Sequence, residues 1–248
     1  MSFVLSTQSV TDLRFDSIYK HMLAYLVDLD PARFRGLGDA NCKAFVRQGL
    51  AFCDAHKIEF MEHIEYVHFM MYFIGTGFPR DPRYTALTGA LTDQSHVAHQ
   101  RIETAHRIFR KFADRFVGIG LAQTKSALTL FNEQLTSVPD DKLSPRAGLD
   151  AFYVAFDFTP QERDTFPEAH LVDAARQSAN ALDMETPTGY GLCLSLALWL
   201  GTGFAQDPLF PWVRDIPAQA PDTPQERARV LKDYAIKRMT KMLPNEET

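Results

Sequence analysis

MYFIGTGFPRDPRY, Met71 to Tyr84, is answered later in the chain by LWLGTGFAQDPLFPW, Leu198 to Trp212. In both stretches an apolar helical run breaks at Gly-Thr-Gly-Phe, and an Asp-Pro pair follows after two intervening residues. One offset of 126 residues carries Gly75 onto Gly201, Gly77 onto Gly203, Phe78 onto Phe204, Asp81 onto Asp207 and Pro82 onto Pro208. The matches need no gap.

The physics of the motif is that of a helix stop. A glycine just past a helix adopts positive φ without a Cβ penalty and closes the last carbonyls. Phe78 and Phe204 then fold back as the apolar contact that accompanies such a cap. Asp81 and Asp207 precede prolines, which pushes them to extended backbone. Their carboxylates are placed to accept nearby backbone N–H groups, as in an Asx-turn. A phosphate cradle is the competing reading. It fails because the motif follows a helix, not a strand, and lacks the GxGxxG and GxxxxGK[ST] patterns.

Working outward, the chain reads as helix after helix. Thr11 or Asp12 is placed to cap a first helix, with Phe15, Ile18, Tyr19, Met22, Tyr25 and Leu26 at i, i+3, i+4, i+7 spacing. Asp30-Pro31 and the turn Gly36-Leu37-Gly38 end it, and Asp39 opens a second helix with Cys42, Phe45, Val46, Gly49, Leu50 and Cys53 on one face. A third, from about Glu59 to Ile74, is apolar on most sides and is expected at the centre of the fold. A loop to about Thr92, an amphipathic helix from Gln94 to Phe116 and a further helix from Leu121 to Leu135 follow, separated by Gly118 and Gly120.

Beyond the polar junction Ser137 to Pro145, the plan repeats less regularly. Leu149 to Phe156 is short and aromatic, and Asp157 to Pro167 reads as a long loop or a broken helix. Helices are expected from Glu168 to Leu182, from Thr188 to Leu200 and from Thr223 to Leu243, with a polar loop from Arg214 to Asp222. No stretch shows sustained strand alternation. The fold class is therefore all-α. The 126-residue offset also aligns Phe45 with Leu171, Val46 with Val172, Ile58 with Met184, Glu59 with Glu185, Phe73 with Trp199, Ala105 with Leu231 and Ala113 with Met239. This implies a duplicated four-helix unit, divided as residues 1–136 and 137–248, whose halves pack through their central apolar helices.

Composition narrows the function. At 248 residues, 46% hydrophobic and 23% charged, the chain is long enough for a sizeable core. A net charge of −5 and the mixed signs around Arg101, Arg107, Arg110, Lys111 and Arg115 argue against a nucleic-acid partner. Cys42, Cys53 and Cys193 are odd in number and widely spaced, which suits free thiols in a reducing compartment. The first residues lack the basic and apolar regions of a signal peptide. The longest apolar run, Leu192 to Leu200, is far short of the roughly 20 residues that span a bilayer. A cytoplasmic protein without a membrane or cofactor requirement is expected.

The sharpest chemical signal is a pair of Glu-x-x-His spacings, Glu65 with His68 and Glu103 with His106. In ferritin-like bundles such pairs, with a further Glu from each of two other helices, hold two metal ions. Glu62 and His99 lie one turn away as added donors. The second half carries Gly191 and Leu194 opposite the first pair, and Arg229 and Lys232 opposite the second, so the pattern is not duplicated. No GxSxG elbow, HExxH or Cys-His pair with recognisable context is present.

Phe15, His21, Asp30-Pro31, Leu37-Gly38, Val46, Gly49 and the stretch LGTGFAQDPLFPW resemble an uncharacterised all-helical family found beside type VI secretion and polymorphic-toxin loci in Gram-negative bacteria. Leu200, Gly201, Phe204, Asp207, Pro208, Pro211 and Trp212 match its signature, with Gly203 where the family carries Asp. The resemblance implies an accessory, immunity or chaperone-like protein that binds a secreted effector, and it brings no catalytic residues. Two expectations follow. The first is a non-catalytic module binding a toxin encoded nearby, where an acidic chain suits a basic toxin groove. The second is a metal-binding bundle or enzyme using Glu65, His68, Glu103 and His106.

Overall fold

The structure, a computed structural model, describes residues 7–118, 121–219 and 223–241. Among them are thirteen α-helices and no strand, so the fold is all-α. Gly120, Asp222, Met242 and Leu243, to which the sequence reading assigns a helix break, a loop end and a helix end, lie outside the described residues. The chain divides into two compact units, Met1–Phe73 and Ile74–Thr248.

The first unit contains α1 (Thr7–Leu29), α2 (Pro31–Leu37), α3 (Asp39–Ala55) and all but the last residue of α4 (Met61–Ile74). The described residues are already helical at Thr7, so the expected cap position Thr11 lies inside α1. The Asp30–Gly38 turn is itself a short helix, because Asp30 accepts from the Arg33 N–H at 3.0 Å and Pro31 supplies a preset φ at the first position. Tyr19, Met22 and Leu26 of α1, Phe34 of α2, and Cys42, Phe45, Val46 and Cys53 of α3 form the buried face. Helix α4 adds Ile64, Val67, Met70 and Met71. Gly49 explains how α3 and α4 come together: a Cβ there would lie 2.3 Å from Nε2 of His68.

The second unit holds α5 (Thr85–Thr92), α6 (Ala98–Phe116), α7 (Ala122–Ser137), α8 (Pro145–Ala155), α9 (Pro160–Thr165), α10 (Glu168–Ala181), α11 (Pro187–Leu200), α12 (Trp212–Ala218) and α13 (Pro224–Thr240). Helix α11 is its axis. Residues Leu192 to Leu198 are buried without interruption, and α8, α10 and α13 pack around it. Such a helix, apolar on all sides, needs enclosure to be stable. Ser144, Thr159, Thr186 and Thr223 cap α8, α9, α11 and α13, each followed by a proline at the first helical position.

Several short elements differ from the sequence expectation. The expected loop before Thr92 contains α5, which buries Leu87 and Leu91 one turn apart. The polar loop expected from Arg214 is largely α12, which buries Val213 and Pro217 at the same spacing. The amphipathic helix starts at Ala98, not Gln94, because Asp93 draws Ser95 and His96 into a turn. Helix α7 lies on α8 and α13, and it belongs to the second compact unit.

Candidate functional site

The Gly-Thr-Gly-Phe and Asp-Pro residues of both stretches, Gly75 to Pro82 and Gly201 to Pro208, lie in the second unit, and they meet each other. Helix α4 stops at Gly75 with φ 86° and α11 at Gly201 with φ 92°. Each glycine leads into a single 3-10 turn, Phe78–Arg80 and Phe204–Gln206, with the Phe fully buried. The Asx-turn contact forms in each copy, Arg83 N–H to Asp81 Oδ1 at 3.0 Å and Leu209 N–H to Asp207 Oδ1 at 2.8 Å. The second carboxylate oxygen crosses over. Thr76 N–H donates to Asp207 Oδ2 at 2.7 Å, and Thr202 N–H donates to Asp81 Oδ2 at 3.1 Å. A Cβ on Gly75 would stand 2.6 Å from the Leu200 carbonyl, and one on Gly201 would stand 2.6 Å from the Ile74 carbonyl. Each loop thus offers the other what it receives, as in an isologous interface.

Arg83 breaks the symmetry, since the second copy has Leu209 there. Its Nε and Nη2 donate to the two oxygens of Asp81 at 2.9 and 2.6 Å, and its Nη1 and Nη2 donate to the carbonyls of Leu198 and Ala197 at 2.8 and 2.9 Å. It therefore serves as a side-chain cap for the end of α11. Burial alone would raise the Asp81 carboxyl, but Arg83 and the N–H groups of Arg83 and Thr202 outweigh it and hold the group below the usual carboxylate range. Pro82 and Pro208 continue each corner, and Trp212 opens α12 with its ring against Tyr234. These motif residues are committed to structure.

The Glu-x-x-His residues take other roles. His68 is fully buried, with Nδ1 2.7 Å from the Ile64 carbonyl and Nε2 3.2 Å from the Val46 carbonyl, so both ring nitrogens face backbone oxygens. Desolvation lowers its pKa, against the two carbonyls. Glu65 pairs with His21 at 2.5 Å. Glu103 and His106 are exposed on α6. Among the described residues no three His, Cys, Asp or Glu side chains gather as a metal site. Cys42, Cys53 and Cys193 are free and buried, and burial raises all three thiols, that of Cys53 to about 12. Thiols of this kind are inert.

A recess with different chemistry lies on the second unit. It is open, with a volume of about 640 Å³, and its lining includes Arg146 on α8, Arg163 on α9 and Glu168 on α10. Phe166 supplies aromatic surface beside the buried ring of Tyr153, and Pro160 and Pro167 supply rigid apolar surface. Tyr153 Oη donates to Glu168 Oε1 at 2.5 Å. Burial, followed by that hydrogen bond, raises the Tyr153 phenol well above its ordinary value. Arg146 pairs with Asp150 at 2.8 Å and lies 3.7 Å from Glu168. Arg163 sits over the Tyr153 ring, 5.1 Å from its centre, and its Nε donates to the Phe158 carbonyl at 3.2 Å.

The sequence reading singled out none of these recess residues. The available signal was the pair of capped starts, Ser144-Pro145 and Thr159-Pro160, which confine the turn between α8 and α9. No described helix is long and apolar enough to cross a membrane. Comparison with known proteins finds no matching family model, no similar curated protein and no similar solved structure.

Proposed function

We propose that the chain is a non-catalytic protein-binding module, acting in the cytoplasm as an immunity protein or a chaperone for a secreted bacterial toxin. The recess on α8, α9 and α10 carries this reading: it is open, and it joins aromatic and proline surface to two guanidinium groups. Small-molecule sites enclose most of their ligand, whereas an open surface with aromatic and arginine anchors suits a protein interface. The resemblance of LGTGFAQDPLFPW to proteins beside type VI secretion loci supplies the toxin context. The 126-residue offset and the reciprocal hydrogen bonds of Asp81 and Asp207 support reading the chain as a duplicated helical unit, with the glycine motif as its architecture.

The test is to mix the purified chain with the purified products of its adjacent genes and to follow complex formation by size-exclusion chromatography. A stoichiometric complex is expected with one of them. Rescue of growth when that product is co-expressed with the chain marks an immunity protein, and improved yield of soluble product marks a chaperone. The absence of both a complex and rescue with every adjacent product overturns the proposal.

A further inference from the structure

We infer that the α8–α10 recess seats a carboxylate-bearing segment of the partner polypeptide, with Arg163 as the anchor; this rests on the protein-binding reading above. Arg163 is held at one edge only. Its Nε is fixed by the Phe158 carbonyl and its plane lies over the Tyr153 ring, while neither Nη group has a hydrogen-bond partner among the described residues. A guanidinium fixed in this way keeps a two-pronged donor edge without having to order its side chain on binding. That is the geometry that receives a carboxylate through two parallel hydrogen bonds.

The acids of the recess leave this edge open. Glu168 accepts from Tyr153, and Arg146 holds Asp150. Asp164 also lines the recess but forms no ion pair with Arg163 among the described residues. Arg146, with 63% of its side chain exposed, supplies a second cation. Exchanging the exposed Asp150 pair for an incoming carboxylate costs little, because solvent and salt screen a pair as exposed as this one. Phe166, Pro160 and Pro167 offer apolar surface for a residue flanking the acid. The site thus selects an acidic segment, opposite in sign to the toxin groove that the chain's net charge of −5 suggests.

The test uses the full chain and a fluorescein-labelled peptide containing Phe-Glu-Glu-Phe, followed by fluorescence anisotropy. The peptide binds, its Gln-for-Glu analogue does not, and Asp164→Asn tightens binding by removing a nearby negative charge. Arg163→Ala and Arg163→Lys each weaken binding by about tenfold or more at an unchanged melting temperature, since lysine keeps the charge but not the fork. Equal binding by Arg163→Ala or by the Gln analogue overturns the assignment. So does displacement of the peptide by free glutarate or inorganic phosphate at the peptide's own concentration, which would mark a small-anion site. If an adjacent-gene partner binds Arg163→Ala as tightly as the unaltered chain, the recess assignment falls and the protein-binding reading stands.

Discussion

Gly77 and Gly203 meet backbone to backbone: a Cβ added to Gly77 would lie 2.6 Å from the Gly203 Cα, and one added to Gly203 would lie 2.7 Å from the Gly77 Cα. Neither neighbour is the end of a flexible side chain, so neither can yield without moving a loop. Gly77→Ala and Gly203→Ala should each destabilise the protein by about 2–3 kcal/mol, and the double variant should lose less than the sum because one displacement relieves both. Gly89 is the control. It sits in α5 with open space where a Cβ would go, and Gly89→Ala should stabilise by roughly 0.5–1 kcal/mol. Urea unfolding of the four variants measures this, and losses at Gly77 and Gly203 no larger than the effect at Gly89 would refute the crossed-loop contact.

Asp81 and Asp207 accept equivalent bonds across the crossing, but only Asp81 neutralises Arg83. Asp81→Asn leaves a largely buried guanidinium without its counter-charge, a loss of about 3–5 kcal/mol for such pairs. The pH dependence has a definite sign. The folded-state pKa of Asp81 is lowered from an unfolded value of about 3.9, so its contribution is fully present above that pH. It is lost as pH falls through the folded-state value. Urea midpoints recorded from neutral pH into acid should fall less steeply below about pH 4 in Asp81→Asn than in the unaltered chain. Parallel profiles would sink this account of the pair.

How far the sequence discloses this fold depends on how many side chains an element buries. Helices α3, α6 and α11 are legible because apolar residues from Cys42 to Cys53 and from Ala98 to Phe116 recur at helical spacing, and because only Ser195 interrupts the apolar run from Leu192 to Leu198. The burial of Arg101 on α6 is not legible, since its sequence neighbours read as a solvated basic face. Helices α2 and α12 bury one and two side chains, too few for a period to show. Their starts were nonetheless marked, by Asp30-Pro31 and by Pro211 before Trp212. The glycine stop and the local Asx-turn of Asp81 follow from composition over a few residues. Its second bond does not, because the Thr202 donor lies 121 positions away and a carboxylate oxygen gives no sign of its remote partner. The recess is hidden for the same reason. Arg146, Tyr153, Arg163 and Glu168 come from three helices, and only the turns between them bring their side chains together.

Gly148 and Ser195 give the packing of α8 on α11 its own test. A Cβ on Gly148 would lie 2.8 Å from Ser195 Oγ, but the next nearest atoms are the Ser195 N and Cα at 3.7 and 3.8 Å, which is ordinary contact. The clash is therefore with the hydroxyl alone. That hydroxyl is fully buried and has no hydrogen-bond partner among the described residues, a state that costs about 1–3 kcal/mol of desolvation. Ser195→Ala should hold or raise stability despite removing a polar contact group from the core. Gly148→Ala should lower stability by about 1–3 kcal/mol in the unaltered chain. In the Ser195→Ala background, the same change should become neutral or stabilising, because the space is free and alanine favours the helix by roughly 1 kcal/mol. A reversal of sign between the two backgrounds is the signature, read as a coupling energy from a double-mutant cycle in urea. Additive effects would mean that α8 and α11 adjust to the extra methyl by moving apart, and that the glycine is not what sets their separation.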